Sequence, residues 1–265
     1  MLPSGEETPI RFKTEGERWL ARYFEEVRGW AERNVWEYEP ELPGKRRRPD
    51  FRVAAEGAAC MLEVKDFGDE ICELPTPLRV LRPYRRIRCK LDAGRKQFEE
   101  FVDEVPCALV LRPGPTADTD VTSPERIMEA LLGSCTSPSP RFVERYSGIG
   151  AVVTLRWRRV RLEAFDAAWS RLKERRGGRS PSRGTLASLC ERLQAEAGDD
   201  AFVLGVTVHE NPSASAPFPS HLFRGPFDEC WAWEGGMVVR RFRGPALDRV
   251  VAEAHRVADE LRLAS

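Results

Sequence analysis

The sequence is poor in histidine, lysine and long apolar runs, and each shortage excludes something. Three histidines and seven widely scattered cysteines (Cys60, Cys72, Cys89, Cys107, Cys135, Cys190 and Cys230) include no CxxC pair. The pattern therefore points neither to a zinc knuckle nor to a disulfide framework, and the cysteines read as reduced, mostly buried thiols. No apolar run approaches the roughly 18 residues that cross a bilayer. The N-terminus, with Glu6 and Glu7 and no apolar stretch, is not a secretory signal, so a cytoplasmic protein with no membrane partner is expected. Net charge is absent too: 42 Lys+Arg face 42 Asp+Glu. Bulk attraction cannot by itself hold a polyanion here, and any nucleic-acid contact must be local. GxSxG, HExxH, a Walker-type loop and kinase signatures are missing, which removes the usual supports for serine-nucleophile and nucleoside-triphosphate chemistry.

What is present is a chain of 265 residues, 42% hydrophobic, enough for a real core. Its cations are overwhelmingly arginine, with lysine only at Lys13, Lys45, Lys65, Lys90, Lys96 and Lys173. Arginine clusters at Lys45–Arg48, Arg82–Lys90, Arg156–Arg161 and Arg171–Arg183 are candidate phosphate contacts or ordinary solvated faces. Hydrophobic periodicity predicts a helix over Lys13–Gly29 with a capping box at Thr14 and Glu17, and strands over Arg48–Ala55 and Ala58–Phe67. A Pro-rich connection leads to a helix over Leu91–Asp103 and a strand over Cys107–Leu111. Beyond a Gly/Pro/Ser/Thr-rich excursion around a helical patch, Pro124–Leu132, the reading gives a strand at Ile149–Trp157 and helices at Leu162–Arg175 and Thr185–Ala197. Strands at Ala201–Val208 and Met237–Phe242 and a closing helix, Pro245–Leu263, complete it.

The hairpin carries the chemistry. A two-residue Glu56-Gly57 turn pairs Val53 with Cys60 and Phe51 with Leu62, and sets Asp50 opposite Glu63. Apolar residues then meet on one face and carboxylates on the other. Like charges so placed repel unless a cation lies between them. Lys65, two residues after Glu63, shares that face. Oxygen ligands without His or Cys suit Mg²⁺ or Mn²⁺, which polarises a phosphoryl oxygen and acidifies a bound water. The competing reading of Asp50, Glu63 and Lys65 is a solvated salt-bridge ladder.

The segments RRPDF (Arg47–Phe51) and LEVKDF (Leu62–Phe67) resemble the PD-(D/E)xK nuclease superfamily, matching its motif at Pro49, Asp50, Glu63 and Lys65. The resemblance covers about residues 13–112. It implies an α/β (α+β) restriction endonuclease-like core, with a central mixed sheet flanked by helices. Residues 113–265 would be additional strands and helices of one domain, completing the sheet and a substrate or partner surface. It also implies metal binding by Asp50 and Glu63 with help from the Val64 carbonyl, and Lys65 as the catalytic lysine. Members often add an acid from the preceding helix, for which Glu17 is the match ahead of Glu15, and a glutamine from the following helix, here Gln97. The expected function is Mg²⁺- or Mn²⁺-dependent phosphodiester hydrolysis, in DNA before RNA, with a homodimer compatible. The alternative is a nuclease-fold module that binds nucleic acid or protein without catalysis. Glu17 as a plain capping acid and Gln97 as a surface residue are the corresponding bland readings. His209, Glu210, His221 and Asp228 have no ligand spacing on one element and are read as loop and packing residues, and Trp231 and Trp233 as packing rather than base-stacking residues.

Overall fold

The computed structural model describes residues 10–30, 35–67, 84–114, 123–134, 137–196 and 201–263. The Pro-rich connection, with Pro75, Pro77 and Pro83, lies outside them, as do Arg82, Cys72 and Cys135. Eight strands form one mixed sheet in sequential order: β1 (Trp36–Tyr38), β2 (Phe51–Ala55), β3 (Ala58–Asp66), β4 (Cys107–Arg112), β5 (Ala151–Arg159), β6 (Phe202–Glu210), β7 (Glu229–Glu234) and β8 (Met237–Arg243). β3, β4 and β5 run parallel, and β1, β2 and β6 run antiparallel to their neighbours within β1–β6. The parallel steps need crossovers, supplied by helix α2 (Tyr84–Phe98) between β3 and β4 and by α3 (Pro124–Leu132) and α4 (Pro140–Arg145) between β4 and β5.

Helices cover both faces of the sheet. On one lies α1 (Glu15–Arg22), which continues as a π-helical turn, Tyr23–Val27, and packs Leu20, Tyr23 and Phe24 against Phe51, Leu62, Val64, Val110 and Val153. On the other, Ile87, Leu91 and Phe98 of α2 and Ile127, Met128 and Leu131 of α3 cover Met61, Leu109, Leu111 and Val152. The segment expected as a surface excursion thus contributes a core helix at Pro124–Leu132, because five of its nine residues are buried. A third cluster joins α5 (Val160–Arg175), α6 (Arg183–Glu196) and α7 (Pro245–Leu263) through Ala168, Leu172, Leu189, Val257 and Ala258. Among the described residues no helix is long and apolar enough to cross a membrane.

The hairpin register is the expected one: Phe51 pairs with Leu62, Val53 with Cys60 and Ala55 with Ala58. Glu56 and Gly57 have φ of 52° and 77°, the left-handed pair that a two-residue type I′ turn requires. The expectation of one apolar and one polar face does not hold. Met61 shares the Glu63 face and is buried, because β3 lies between two strands with helices on both sides.

Candidate functional site

Asp50, Glu63 and Lys65 meet at the open end of the hairpin, just before β2 begins and where β3 runs on past it. Continuing the register one pair past Phe51 and Leu62 puts Asp50 opposite Glu63, and one further puts Pro49 opposite Val64. Pro49 has no N–H, so the ladder offers the Val64 carbonyl no donor at that position. The Val64 N–H is taken up differently as well: it donates to Asp50 Oδ2 at 2.7 Å. The Asp50 backbone stays paired on the β1 side, its carbonyl accepting from the Glu39 N–H at 2.8 Å, while on the β3 side its side chain takes the place of the Pro49 carbonyl as acceptor.

Glu63 is 4% exposed. Its Oε1 accepts a charge-assisted bond from the Lys65 ammonium, while its Oε2 is buried with no partner. A buried carboxylate oxygen without a donor costs on the order of 1–3 kcal/mol or more. Burial pushes the Glu63 carboxyl up, against the pull of Lys65. Burial also pushes Asp50 up to about 7; the charge of Glu63 adds to it, and Glu17 contributes further. The Val64 N–H and Lys65 only partly offset this. The Lys65 side chain keeps 27% exposure and connects the cluster to solvent.

Glu17 comes to the edge of this cluster through the capping box of α1. Its N–H donates to Thr14 Oγ1 at 3.2 Å, and its Oε2 accepts from the Lys13 N–H at 2.7 Å, the Thr14 N–H at 3.3 Å and the Tyr38 hydroxyl at 2.7 Å. The capping role and proximity to Asp50 coexist. The first turn of α1 docks on β3 because Gly16 has no side chain: a Cβ there would meet Asp66 Oδ1 at 2.1 Å and Val64 Cγ1 at 2.8 Å. The Gly16 N–H donates to Asp66 Oδ2 at 3.2 Å, which satisfies one free donor of the helix end. Glu15 points elsewhere and pairs with Arg112 at 3.0 Å.

Gln97 does not reach the carboxylates with a bond. Its Nε2 donates to the Arg48 carbonyl at 2.6 Å and ties α2 to the segment that presents Pro49 and Asp50. Two further bonds hold the same segment, from the Arg46 N–H to Glu100 Oε2 at 2.7 Å and from Lys45 Nζ to the Glu100 carbonyl at 2.7 Å.

Sequence reasoning missed strand β7 and, in strand β1, Tyr38. The signal for β1 was the Trp36-Glu37-Tyr38 alternation, too short to stand out. His209 is buried with neither ring nitrogen partnered, and burial beside Arg156 and Arg158 pushes it down to about 3. Asp228 lies in separate packing, and no second site forms around the pair. Among the described residues no three His, Cys, Asp or Glu side chains gather to hold a metal. The candidate site instead offers two carboxylates and one carbonyl without a ladder donor, a set that fits Mg²⁺ or Mn²⁺, which take their other ligands from water and phosphate.

Compared with protein-family models, with curated proteins and with solved structures, the chain matches none.

Proposed function

We propose that this chain is a Mg²⁺- or Mn²⁺-dependent nuclease that hydrolyses phosphodiester bonds in DNA, built on a restriction endonuclease-like core. One observation carries the reading: two adjacent carboxylates, Glu63 buried with an unpartnered oxygen and Asp50 half-buried, sit beside a lysine at the open end of a hairpin. The Lys65–Glu63 ion pair and the Val64 N–H bond to Asp50 stabilise the arrangement in part; a divalent cation would also relieve the repulsion between the carboxylates and the unmet oxygen.

Asp50 and Glu63 would hold the ion, with the Val64 carbonyl as a third oxygen. The bound ion supplies a Lewis acid and a water of lowered pKa. The chain's own residues do the rest. Lys65 presents an ammonium beside Glu63, where it orients the attacking water or stabilises charge on the phosphoryl oxygens. Glu17 and Tyr38 fix the wall of the pocket on the α1 side. Gln97 holds the Arg48 carbonyl and so sets where Asp50 stands.

A binding module without catalysis is the second reading, favoured by the absence of any three-residue metal cluster among the described residues. Incubation with single- and double-stranded DNA and with RNA, in Mg²⁺ or Mn²⁺ and in EDTA, separates the two. The nuclease reading expects metal-dependent cleavage that falls by about 10²–10³ or more in Asp50→Ala and Lys65→Ala. Binding without turnover in either metal, or cleavage unchanged by both substitutions, overturns it.

A further inference from the structure

A second polar cavity lies on the same sheet face as Lys65. Lys65 pairs with Leu111, and Leu111 with Thr154, so the three side chains share one face across β3, β4 and β5. Two strand spacings put Thr154 about 10 Å from Lys65. Around Thr154 is a cavity of about 200 Å³ lined by Ser123, Pro124, Thr154, Arg156, Thr207, Glu229 and Trp231.

Its walls hold donors in excess. Arg156 Nε and Trp231 Nε1 are buried without partners, while Arg156 Nη2 pairs with Glu163 at 3.1 Å, a carboxylate it shares with Arg158. The Thr207 hydroxyl accepts from Arg158 Nη2 at 2.7 Å, which leaves its own proton to give. The lining carboxylate, Glu229, is already taken up by Arg158 at 3.3 Å, Arg240 at 3.2 Å and Arg243 at 3.7 Å. Arg158, outside the lining, is fully buried and also pairs with Glu163. The first turn of α3, capped by Ser123, opens on the same space and adds a weak positive field. A pocket rich in unmet N–H groups, with its acid already paired, suits an acceptor-rich anion.

We propose that this cavity is a phosphate subsite for the nucleic acid cut at Lys65, with Arg156 as its principal ligand. The proposal rests on the nuclease reading. Lys65 and Thr154 stand about 10 Å apart in the sheet with the buried Leu111 between them, so both lie on one side of the molecule. Engagement there fixes which phosphodiester comes to the carboxylates.

The test uses the full chain and Arg156→Ala, with Arg156→Lys as the charge-retaining control and thermal denaturation to verify folding. Glu163 keeps its bond to Arg158 in both variants. Cleavage kinetics are measured on a short DNA duplex at several salt concentrations, and cleavage is repeated with inorganic phosphate as competitor. The proposal expects KM to rise about tenfold in Arg156→Ala with kcat within about twofold, and the salt slope of binding to fall by about one. Partial recovery in Arg156→Lys and weaker phosphate competition in Arg156→Ala are also expected. Equal KM and an unchanged salt slope, with wild-type cleavage intact, overturn the subsite and leave the nuclease reading standing. A wild-type chain that neither binds nor cuts nucleic acid overturns both.

Discussion

Two buried acids in this protein are treated in opposite ways. At the β6–β7 junction, Asp228 is fully buried and accepts from the Tyr23 hydroxyl at 2.6 Å, the Val206 N–H at 2.9 Å and the Gly225 N–H. Burial pushes its carboxyl up, and those three donors pull it back. At the open end of the β2–β3 hairpin, Glu63 is drawn down by Lys65 and by the Asp50 backbone but keeps an oxygen without a hydrogen bond, and the charges around Asp50 include two further carboxylates. The first arrangement ties α1 to the loop before β7. The second leaves electrostatic strain in place, the kind of arrangement that clusters at functional sites.

The sharpest way to break this comparison is to delete each acid in turn. Asp228→Ala leaves three buried donors unmet and is expected to cost about 3–5 kcal/mol in urea denaturation. Glu63→Gln removes a poorly compensated charge, and without metal its stability is expected within about 1 kcal/mol of wild type, or above it. Comparable losses at both positions would make Glu63 an ordinary structural acid.

The pH dependence sharpens the same contrast. Asp50 is raised from 3.8 to about 7, so between those values the folded state binds more protons than the unfolded chain. Stability of the metal-free protein should therefore fall as pH rises through that window, and Asp50→Asn should flatten the slope. An unchanged slope in the variant would remove Asp50 as the cause.

Smaller effects are expected at the supports. Glu17→Ala removes a capping box and the partner of Tyr38, at a cost of about 1–2 kcal/mol, with cleavage reduced far less than in Lys65→Ala. Gln97→Ala, which loses one bond to the Arg48 carbonyl, should cost about 0.5–1.5 kcal/mol. It should lower kcat only a few-fold; a loss as large as that of Lys65→Ala would move Gln97 into direct contact with the reacting groups.

The hairpin was legible from sequence because alternation and turn chemistry agree, and its pairing follows residue by residue from the turn. The helix carrying Glu17 and the strand after α2 were legible for the same reason. β1 was not, since three residues leave too little pattern. The start of α2 at Tyr84 rather than Leu91 was hidden by its run of arginines, which reads as a solvated segment although Ile87 is buried. The bond that the Asp50 side chain accepts from the Val64 N–H was beyond a pattern reading. It depends on Pro49 lacking an N–H and on a side chain filling the gap, and both become visible only when the two strands are set side by side.

Whether Asp50 and Glu63 together hold one divalent cation is decided by calorimetric titration of the full chain with Mn²⁺, run beside Asp50→Asn and Glu63→Gln. One ion bound by the wild type and lost or strongly weakened in both variants is the predicted result. No binding by the wild type, or binding that survives both substitutions unchanged, would contradict it.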